Sequence, residues 1–279
     1  MTSHIYTEHD MPGDLPSSPR SRATPAAGEA LLAGDEPAPV LHVNPEGRSP
    51  CFITCDHAGR LIPKRLGDLG VPPTELERHI AWDIGALGVA RELARLLDAE
   101  LVAQRYSRLV IDCNRPPDSP DLCTPRSEAT EVPGNRGLSI GDISLRRAAI
   151  WQPYHDAIAA RLEARATRPT VYVAIHSFTP VYLGRARPWQ VGVLYGEDRR
   201  LATPMLEFLR AHGDFVVGEN EPYRIDEKDQ GIPAHALARG LPNVLIELRQ
   251  DLITHAAGQQ AWAARLAATL RHACVALQL

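Results

Sequence analysis

The segment VYVAIHS, residues 171–177, decides the fold of this chain. Its first five residues are a continuous apolar run, which is typical of a parallel strand that is covered on both faces. WQVGVLY at 189–195 and NVLIEL at 243–248 repeat this signature. The three segments therefore predict the central, parallel strands of an open sheet.

Outward from this centre, strand and helix patterns alternate. β-prone runs predict strands at 51–55, 101–104 and 109–112, and helical spacing of apolar residues predicts helices at 83–97, 144–166, 199–211 and 255–277. This alternation predicts an α/β fold of three layers, a doubly wound sheet that is mixed but mostly parallel.

Composition predicts how the chain is divided. Residues 1–38 are rich in Pro, Ser, Gly, Ala and acids and have few side chains to bury, which predicts a flexible N-terminal tail. The whole chain has 279 residues, of which 44% are hydrophobic and 23% charged. Such a chain can bury one substantial core, so we expect a single catalytic domain over 39–279.

Charge, hydropathy and cysteine content argue against binding to nucleic acid, a membrane span and secretion. The net charge of -4 comes from mixed signs without a basic stripe, which argues against nucleic acid. No apolar run reaches the roughly 18 to 20 residues that a bilayer requires. The five cysteines form no even framework, and the first residues lack the layout of a signal peptide. We therefore expect a cytoplasmic protein that acts on a small molecule.

Polar residues follow several predicted strands at the point where each strand ends. His57 follows CFIT, the segment 112–115 follows an apolar run, His176 follows VYVAI, and Glu247 lies near the end of NVLI. One such histidine is equally compatible with a hydrogen-bonded place in the core, but several on one sheet edge must converge. Two imidazoles and a carboxylate that leave one position open are the usual catalytic zinc arrangement. The pattern favours a metal site.

Five motifs, in their order and spacing, resemble the N-formylglutamate amidohydrolase family. They are CDHAG (55–59), HIAWDIG (79–85), YSRLVIDCNRPP (106–117), AIHSFTP (174–180) and IELRQDLI (246–253). The resemblance implies a hydrolase-like fold similar to zinc carboxypeptidases and aspartoacylases. It also implies hydrolysis of the amide of an N-acyl amino acid, such as an N-formyl amino acid, by zinc-activated water.

The resemblance assigns the metal ligands. His57 and His176 match the two histidine ligands of the family. Zinc carboxypeptidases place an acid three residues after the first histidine, but that position is Arg60 here. Asp83 is therefore the expected third ligand of Zn²⁺, and the alternative is that its carboxylate caps a helix.

The resemblance also assigns catalytic and substrate-binding residues. Glu247 is the expected general base, with a buried pair to Arg249 or another cation as the alternative. Arg108 is expected to polarise the scissile carbonyl. Residues expected to bind the substrate are Asn114 and Arg115, which match a carboxylate-holding pair, together with Arg185 in the loop after His176 and His235. For Arg108 and Arg115 a surface ion pair is the alternative.

Two other functions stay open at this point. The chain could be a carboxypeptidase-like peptidase or amidase, which would have the same catalytic residues in a pocket of a different shape. A protein of this fold could also bind acidic metabolites without turnover, because Arg60 stands where related enzymes carry a ligand. Residues 224–234 (RIDEKDQGIPA), where pocket residues are expected, depart from the best-known formylglutamate enzymes.

Overall fold

A seven-stranded sheet forms the centre of the structure, a computed structural model that describes residues 30–279. The strands are β1 (Val40–Val43), β2 (Cys51–Cys55), β3 (Glu100–Gln104), β4 (Arg126–Ser127), β5 (Thr130–Glu131), β6 (Val171–Phe178), β7 (Val181–Tyr182), β8 (Arg185–Ala186), β9 (Val191–Leu194), β10 (Val217–Glu219) and β11 (Asn243–Arg249). Of the strands in these residues, seven form this sheet, and β4-β5 and β7-β8 form two separate two-stranded sheets. The α-helices are α1 (Pro73–Leu76), α2 (Ala86–Leu97), α3 (Ile140–Arg146), α4 (Gln152–Ala164), α5 (Ala202–Ala211) and α6 (Ala256–Ala276).

The order of strands in the sheet is β1-β3-β2-β6-β11-β9-β10. Strands β3, β2, β6 and β11 run parallel to one another, whereas β1 is antiparallel to β3 and β9 is antiparallel to β11. The mixed, mostly parallel α/β sheet is therefore confirmed. The prediction that 189–195 is a parallel strand of the central group was wrong, because β9 pairs with β11 in the opposite direction. A buried apolar run does not reveal strand direction.

Helices cover both faces of the sheet and complete three layers. Side chains of α2, α5 and α6 pack with the sheet in one buried cluster that includes Val89, Met205 and Leu266. The helix made by α3, a π-helical turn (Arg147–Trp151) and α4 covers the other face. Tyr154 and Ile158 of α4 belong to a second buried cluster on that face, which also includes Phe52 of the sheet. This layering leaves the ends of the strands as the place for a site.

The segment 109–112, predicted as a strand, forms turns instead. Its apolar side chains are all buried, as they would be in a strand. A run of hydrophobic residues is therefore compatible with a buried turn as well as with a strand. The amide of Val110 donates to the carbonyl of Ser107, and the amide of Asp112 donates to the carbonyl of Leu122. Because the chain turns here, Arg108 and Asp112 lie side by side and form an ion pair.

Helix α2 begins at Ala86 rather than at Asp83, and Gly85 explains the difference. Gly85 has a φ of 80°, and a Cβ there would lie 2.1 Å from the carbonyl oxygen of Ile253. Only glycine fits this left-handed, crowded position without strain. The carboxylate of Asp83 is consequently not the N-cap of α2 and is directed to the strand ends.

The predicted flexible tail, 1–38, lies mostly outside the described residues. Of the part that is described, Leu31 is buried, the carbonyl of Pro37 accepts a hydrogen bond from Tyr106, and the carboxylate of Glu36 accepts one from the amide of Lys64. Residues 30–38 thus pack against the domain. Within 30–279, no helix combines the length and the hydropathy that a membrane span would require.

Candidate active site

Three parallel strands bring polar residues to one edge of the sheet. His57 follows β2, His176 lies in β6, and Glu247 lies in β11 directly opposite His176 in the strand register. All three side chains are buried, with at most 6% of each residue exposed. The predicted convergence of these strand ends is what the structure shows.

Asp83 completes a cluster with the two histidines. Its Oδ2 atom lies 3.0 Å from Nδ1 of His176 and 3.5 Å from Nδ1 of His57. Ligands at about 2.0–2.1 Å from a tetrahedral metal ion are about 3.3 Å apart, so these separations are the size of a coordination shell. These residues are the group that could hold a metal ion in the described part of the chain. Arg60 points away from this cluster, to Glu77 and the ring of Trp82.

Two further carboxylates orient the histidine rings. Oδ1 of Asp112 lies 2.7 Å from Nε2 of His57, and Oδ2 of Asp56 lies 2.9 Å from Nε2 of His176. A carboxylate accepts, so each Nε2 carries a hydrogen, and in a neutral ring each Nδ1 then has its lone pair available for a metal ion. Nδ1 of His57 is buried without a hydrogen-bond partner. Carboxylate–histidine pairs of this kind are the usual support of a metal ligand.

The electrostatics of the cluster also suit a cation. Burial opposes the charged forms, yet His176 and His57 hold the pKa of Asp56 and Asp83 below the usual range. Burial likewise lowers the pKa of His176, but Asp56 and Asp83 raise it well above its usual value. A metal ion binds neutral imidazoles in place of their protons, and with both histidines neutral Asp56, Asp83, Asp112 and Arg108 leave two net negative charges, which a divalent ion would neutralise. The donor atoms and the charge fit a metal.

Replacing Asp112 with asparagine is expected to weaken the affinity for a divalent metal ion by about 10- to 100-fold, because the amide no longer fixes the ring of His57 as a carboxylate does. Competition with a chelating dye measures this affinity. Asp121→Asn is the matched control, since Asp121 lines the same cleft but is exposed, and it is its backbone amide, not its carboxylate, that bonds to Ser119. Equal affinities for the two variants would contradict the orienting role of Asp112.

Glu247 lies beside this cluster without a cation bound to it. Its Oε2 atom is buried and has no hydrogen-bond partner in 30–279. Arg249, the alternative partner, instead pairs with Asp251. Burial raises the pKa of Glu247 to about 8, against the opposing effect of His176. A buried carboxylate with no partner is costly, so its position favours a chemical role.

Arg108 reaches the same cluster from the turn that follows β3. Its guanidinium lies 2.9 Å from Oδ2 of Asp112 and 3.5 Å from Oδ1 of Asp83. Although burial lowers it, Asp112 and Asp83 raise the pKa of Arg108 above its usual value. Arg108 also lines the cleft, so a molecule bound there could contact it. Its ion pairs therefore lie at the site and not on the outer surface of the protein.

The cluster opens into a cleft of 570 Å³, and the long loop 114–140 forms part of its wall. Asn114 lines the cleft, but its Oδ1 accepts a hydrogen bond from the amide of Gly231, and its Nδ2 donates one to the carboxylate of Asp229. Arg115 also lines it, with 28% of its side chain exposed, and it donates to the carbonyl of Lys228. Both residues therefore hold the loop 226–231 as well as face the cleft.

Arg185 and His235 do not line this cleft. Arg185 is exposed in the β7–β8 hairpin. His235 is buried behind the cleft, where it lies 2.8 Å from Nδ1 of His155, whose Nε2 donates to the carbonyl of Cys113. Burial lowers the pKa of His155 to about 4 and of His235 to about 3, so both are neutral. The structure does not bring these two predicted residues to the metal-binding cluster.

The sequence reasoning missed two features of the site. The sequence assigns no role to Asp56, yet its carboxylate orients His176 and accepts a hydrogen bond from Tyr154. Tyr223 lines the cleft from a loop for which no role was predicted. Asp56 could have been recognised as a strand-end acid beside a histidine, whereas no local signal marks Tyr223.

Comparison with known proteins gives consistent matches. The family model described as N-formylglutamate amidohydrolase matches residues 49–254. An N-formylglutamate deformylase of Pseudomonas putida is 33% identical over 128 residues, which are 42% of this chain and 47% of that protein. The alignment thus spans about half the length of this curated relative.

Two solved structures are similar as well. A gene product of Agrobacterium tumefaciens has a TM-score of 0.86 and 38% identity, over 89% of this chain and 100% of that one. An N-formylglutamate amidohydrolase from Ralstonia eutropha JMP134 has a TM-score of 0.63 and 21% identity, over 86% of this chain and 99% of that one. The second likeness shows the fold alone.

Proposed function

The chain belongs to the N-formylglutamate amidohydrolase family, and from that premise we propose that it is a zinc-dependent amidohydrolase of N-formyl amino acids such as N-formylglutamate. The observation that carries this proposal is the buried cluster of His57, Asp83 and His176 next to the unpaired carboxylate of Glu247. The name of the Pseudomonas putida relative supports the choice of substrate.

The residues that would hold Zn²⁺ are His57 and His176 through Nδ1 and Asp83 through a carboxylate oxygen. Two imidazoles and one carboxylate are the ligand set of several catalytic zinc sites, and they leave a position for water or substrate. When bound there, zinc supplies a Lewis acid that activates water and polarises a carbonyl.

The protein's own groups then move the proton. Oε2 of Glu247 is free to take a proton from the attacking water and to deliver it to the nitrogen of the leaving amine. The water oxygen bonds to the formyl carbon, the C–N bond breaks, and the products are formate and the free amino acid. Arg108, fixed by Asp112 and Asp83, is placed to stabilise the negative charge that develops on the carbonyl oxygen.

Arg115 is the residue that we assign to the substrate's α-carboxylate, because it lines the cleft and has no close carboxylate partner, Asp229 being 3.8 Å away. Arg115→Ala is expected to raise KM by about 10- to 100-fold with a small change in kcat, since it removes binding present in both ground and transition states. Steady-state kinetics test this. Arg126→Ala, an exposed arginine of the same cleft wall, is the comparison, and an unchanged KM for Arg115→Ala would place the carboxylate elsewhere.

The likeness to zinc carboxypeptidases and a reducing, cytoplasmic location are parts of the same proposal. The first is supported by the place of the ligands at the carboxyl ends of parallel strands. The second is supported by the cysteines, all five of which are buried free thiols. Cys51 and Cys274 have their sulfur atoms 3.9 Å apart, in hydrogen-bond contact, and are not joined by a disulfide.

A substrate panel tests the proposed function. The zinc-loaded protein is incubated with N-formyl-L-glutamate, N-acetyl-L-glutamate, N-formyl-L-leucine and a dipeptide that ends in glutamate, and released formate and free amine are measured. We expect turnover of N-formyl-L-glutamate at a kcat/KM well above that of the other compounds. Preferential cleavage of the dipeptide would indicate a peptidase, and no turnover by fully loaded protein would indicate a binding protein.

A further inference from the structure

Arg187 is a buried cation that the proposed mechanism does not use. It follows strand β8, and only 9% of the residue is exposed. Among the residues that the structure describes, no carboxylate forms an ion pair with its guanidinium, which makes a long hydrogen bond of 3.4 Å to the hydroxyl of Thr179. Burial of a charge without a counter-ion is unfavourable, so other contacts must hold Arg187 in place.

Aromatic rings surround the Arg187 guanidinium. The ring of Tyr182 has its centre 4.5 Å away, that of Tyr223 4.8 Å, and that of Phe178 5.7 Å. A guanidinium over aromatic faces is attracted by the negative charge at each face, and the attraction grows as water is excluded. Arg187 thus holds two tyrosines that come from separate parts of the chain.

Both tyrosines form the wall of the catalytic cleft. Tyr182 belongs to the β7–β8 hairpin and Tyr223 to the loop after β10, and both line the cleft that contains Glu247. They are 37% and 39% exposed, so their outer faces are free to touch a bound molecule. Burial and the charge of Glu247 raise the pKa of Tyr223 to about 12, which is consistent with a phenol near the catalytic carboxylate.

The loop that carries Tyr223 rests on the strand beside Glu247. A Cβ at Gly192 would lie 2.1 Å from the carbonyl oxygen of Glu221 and 3.4 Å from Cβ of Glu247. Gly192 is also the register partner of Glu247. The loop is therefore close to the reacting groups on one side, and Arg187 fixes it to the hairpin on the other.

We propose that Arg187 is a positioning residue that joins Tyr182 and Tyr223 into one rigid wall and so confines the substrate against the metal-binding cluster. This inference rests on the proposed function for its effect on catalysis. It differs from the expectation that an arginine of this loop binds a carboxylate, because the face of the guanidinium is taken by the tyrosine rings.

Kinetics of Arg187→Gln test the effect on the substrate. We expect KM for the best substrate of the panel to rise about tenfold with kcat within about threefold, and Arg187→Lys to recover part of the loss because it keeps the cation. In a background that carries both Tyr182→Ala and Tyr223→Ala, Arg187→Gln should change KM by less than about twofold, since both groups through which it acts are gone. A full effect in that background would show that Arg187 contacts the substrate itself and would overturn the proposal.

A matched control and a second measurement separate this proposal from the function. Arg265 also stacks on two rings, Phe215 at 5.9 Å and Trp262 at 5.2 Å, but it does not line the cleft. Hydrogen exchange measured by mass spectrometry should be faster at 180–187 and 220–225 in Arg187→Gln and unchanged there in Arg265→Gln. Unchanged exchange in Arg187→Gln would refute the positioning role even in a protein without turnover, whereas lack of turnover with altered exchange would refute only the function.

Discussion

Glu247→Gln is expected to lower kcat by about 10³- to 10⁴-fold while the protein still binds one metal ion. Glutamine keeps the size of the side chain, and the ligands His57, Asp83 and His176 are untouched. What the variant loses is a basic oxygen at the position of Oε2, which is buried and unpaired in the structure. The water must then lose its proton without a positioned acceptor.

Metal content, unfolding temperature and kcat should be measured together for this variant. Glu100→Gln is the matched control, because Glu100 is also a buried strand glutamate but is paired with Arg161 and Arg165. Removal of the charge of Glu100 should lower the unfolding temperature and leave kcat nearly unchanged. Removal of the charge of Glu247 should instead lower kcat and leave the unfolding temperature nearly unchanged. A Glu247→Gln protein with native kcat would assign the proton transfer to another group.

The strand-end residues of this site could be predicted from the sequence because they depend on local patterns. An apolar run that stops at a histidine marks both a buried strand and the place where it leaves the sheet. For that reason His57, His176 and Glu247 were found, and the structure places them together. The long, proline-rich loop 114–140 lines the cleft, as is typical of long ordered loops in compact domains.

Other features depend on contacts between distant parts of the chain, which one sequence does not reveal. Which ring nitrogen of His57 faces Asp83 and His176 follows from Asp112, 55 residues away. The position of Asp112 depends on a turn whose sequence has the apolar pattern of a strand. Arg185 and Arg187 are only two residues apart, yet one is exposed and the other is held between tyrosines. Spacing alone could not separate them, because the ring of Tyr223 comes from another loop.

Loss of one metal ligand is expected to have the largest effect of all. Asp83→Asn and His176→Ala should each reduce bound zinc from about one ion per chain to a small fraction, because the remaining two ligands are too few for a stable site. Since Asp83 contacts both histidines and Arg108, its loss also leaves a buried cation less well neutralised. We expect hydrolysis to fall below detection in both variants.

Three measurements decide this prediction: zinc by atomic emission, hydrolysis of the best substrate, and the unfolding temperature with and without added Zn²⁺. Zinc at 100 times its dissociation constant should stabilise the native protein by about 2.7 kcal/mol, and this gain should be absent in the ligand variants. His212→Ala, which removes an exposed histidine at the end of α5, should keep both the gain and the activity. Chelation should abolish hydrolysis by the native protein and Zn²⁺ should restore it. If Asp83→Asn retained full zinc and activity, the third ligand would have to be sought outside this cluster, and the argument from its geometry would fail.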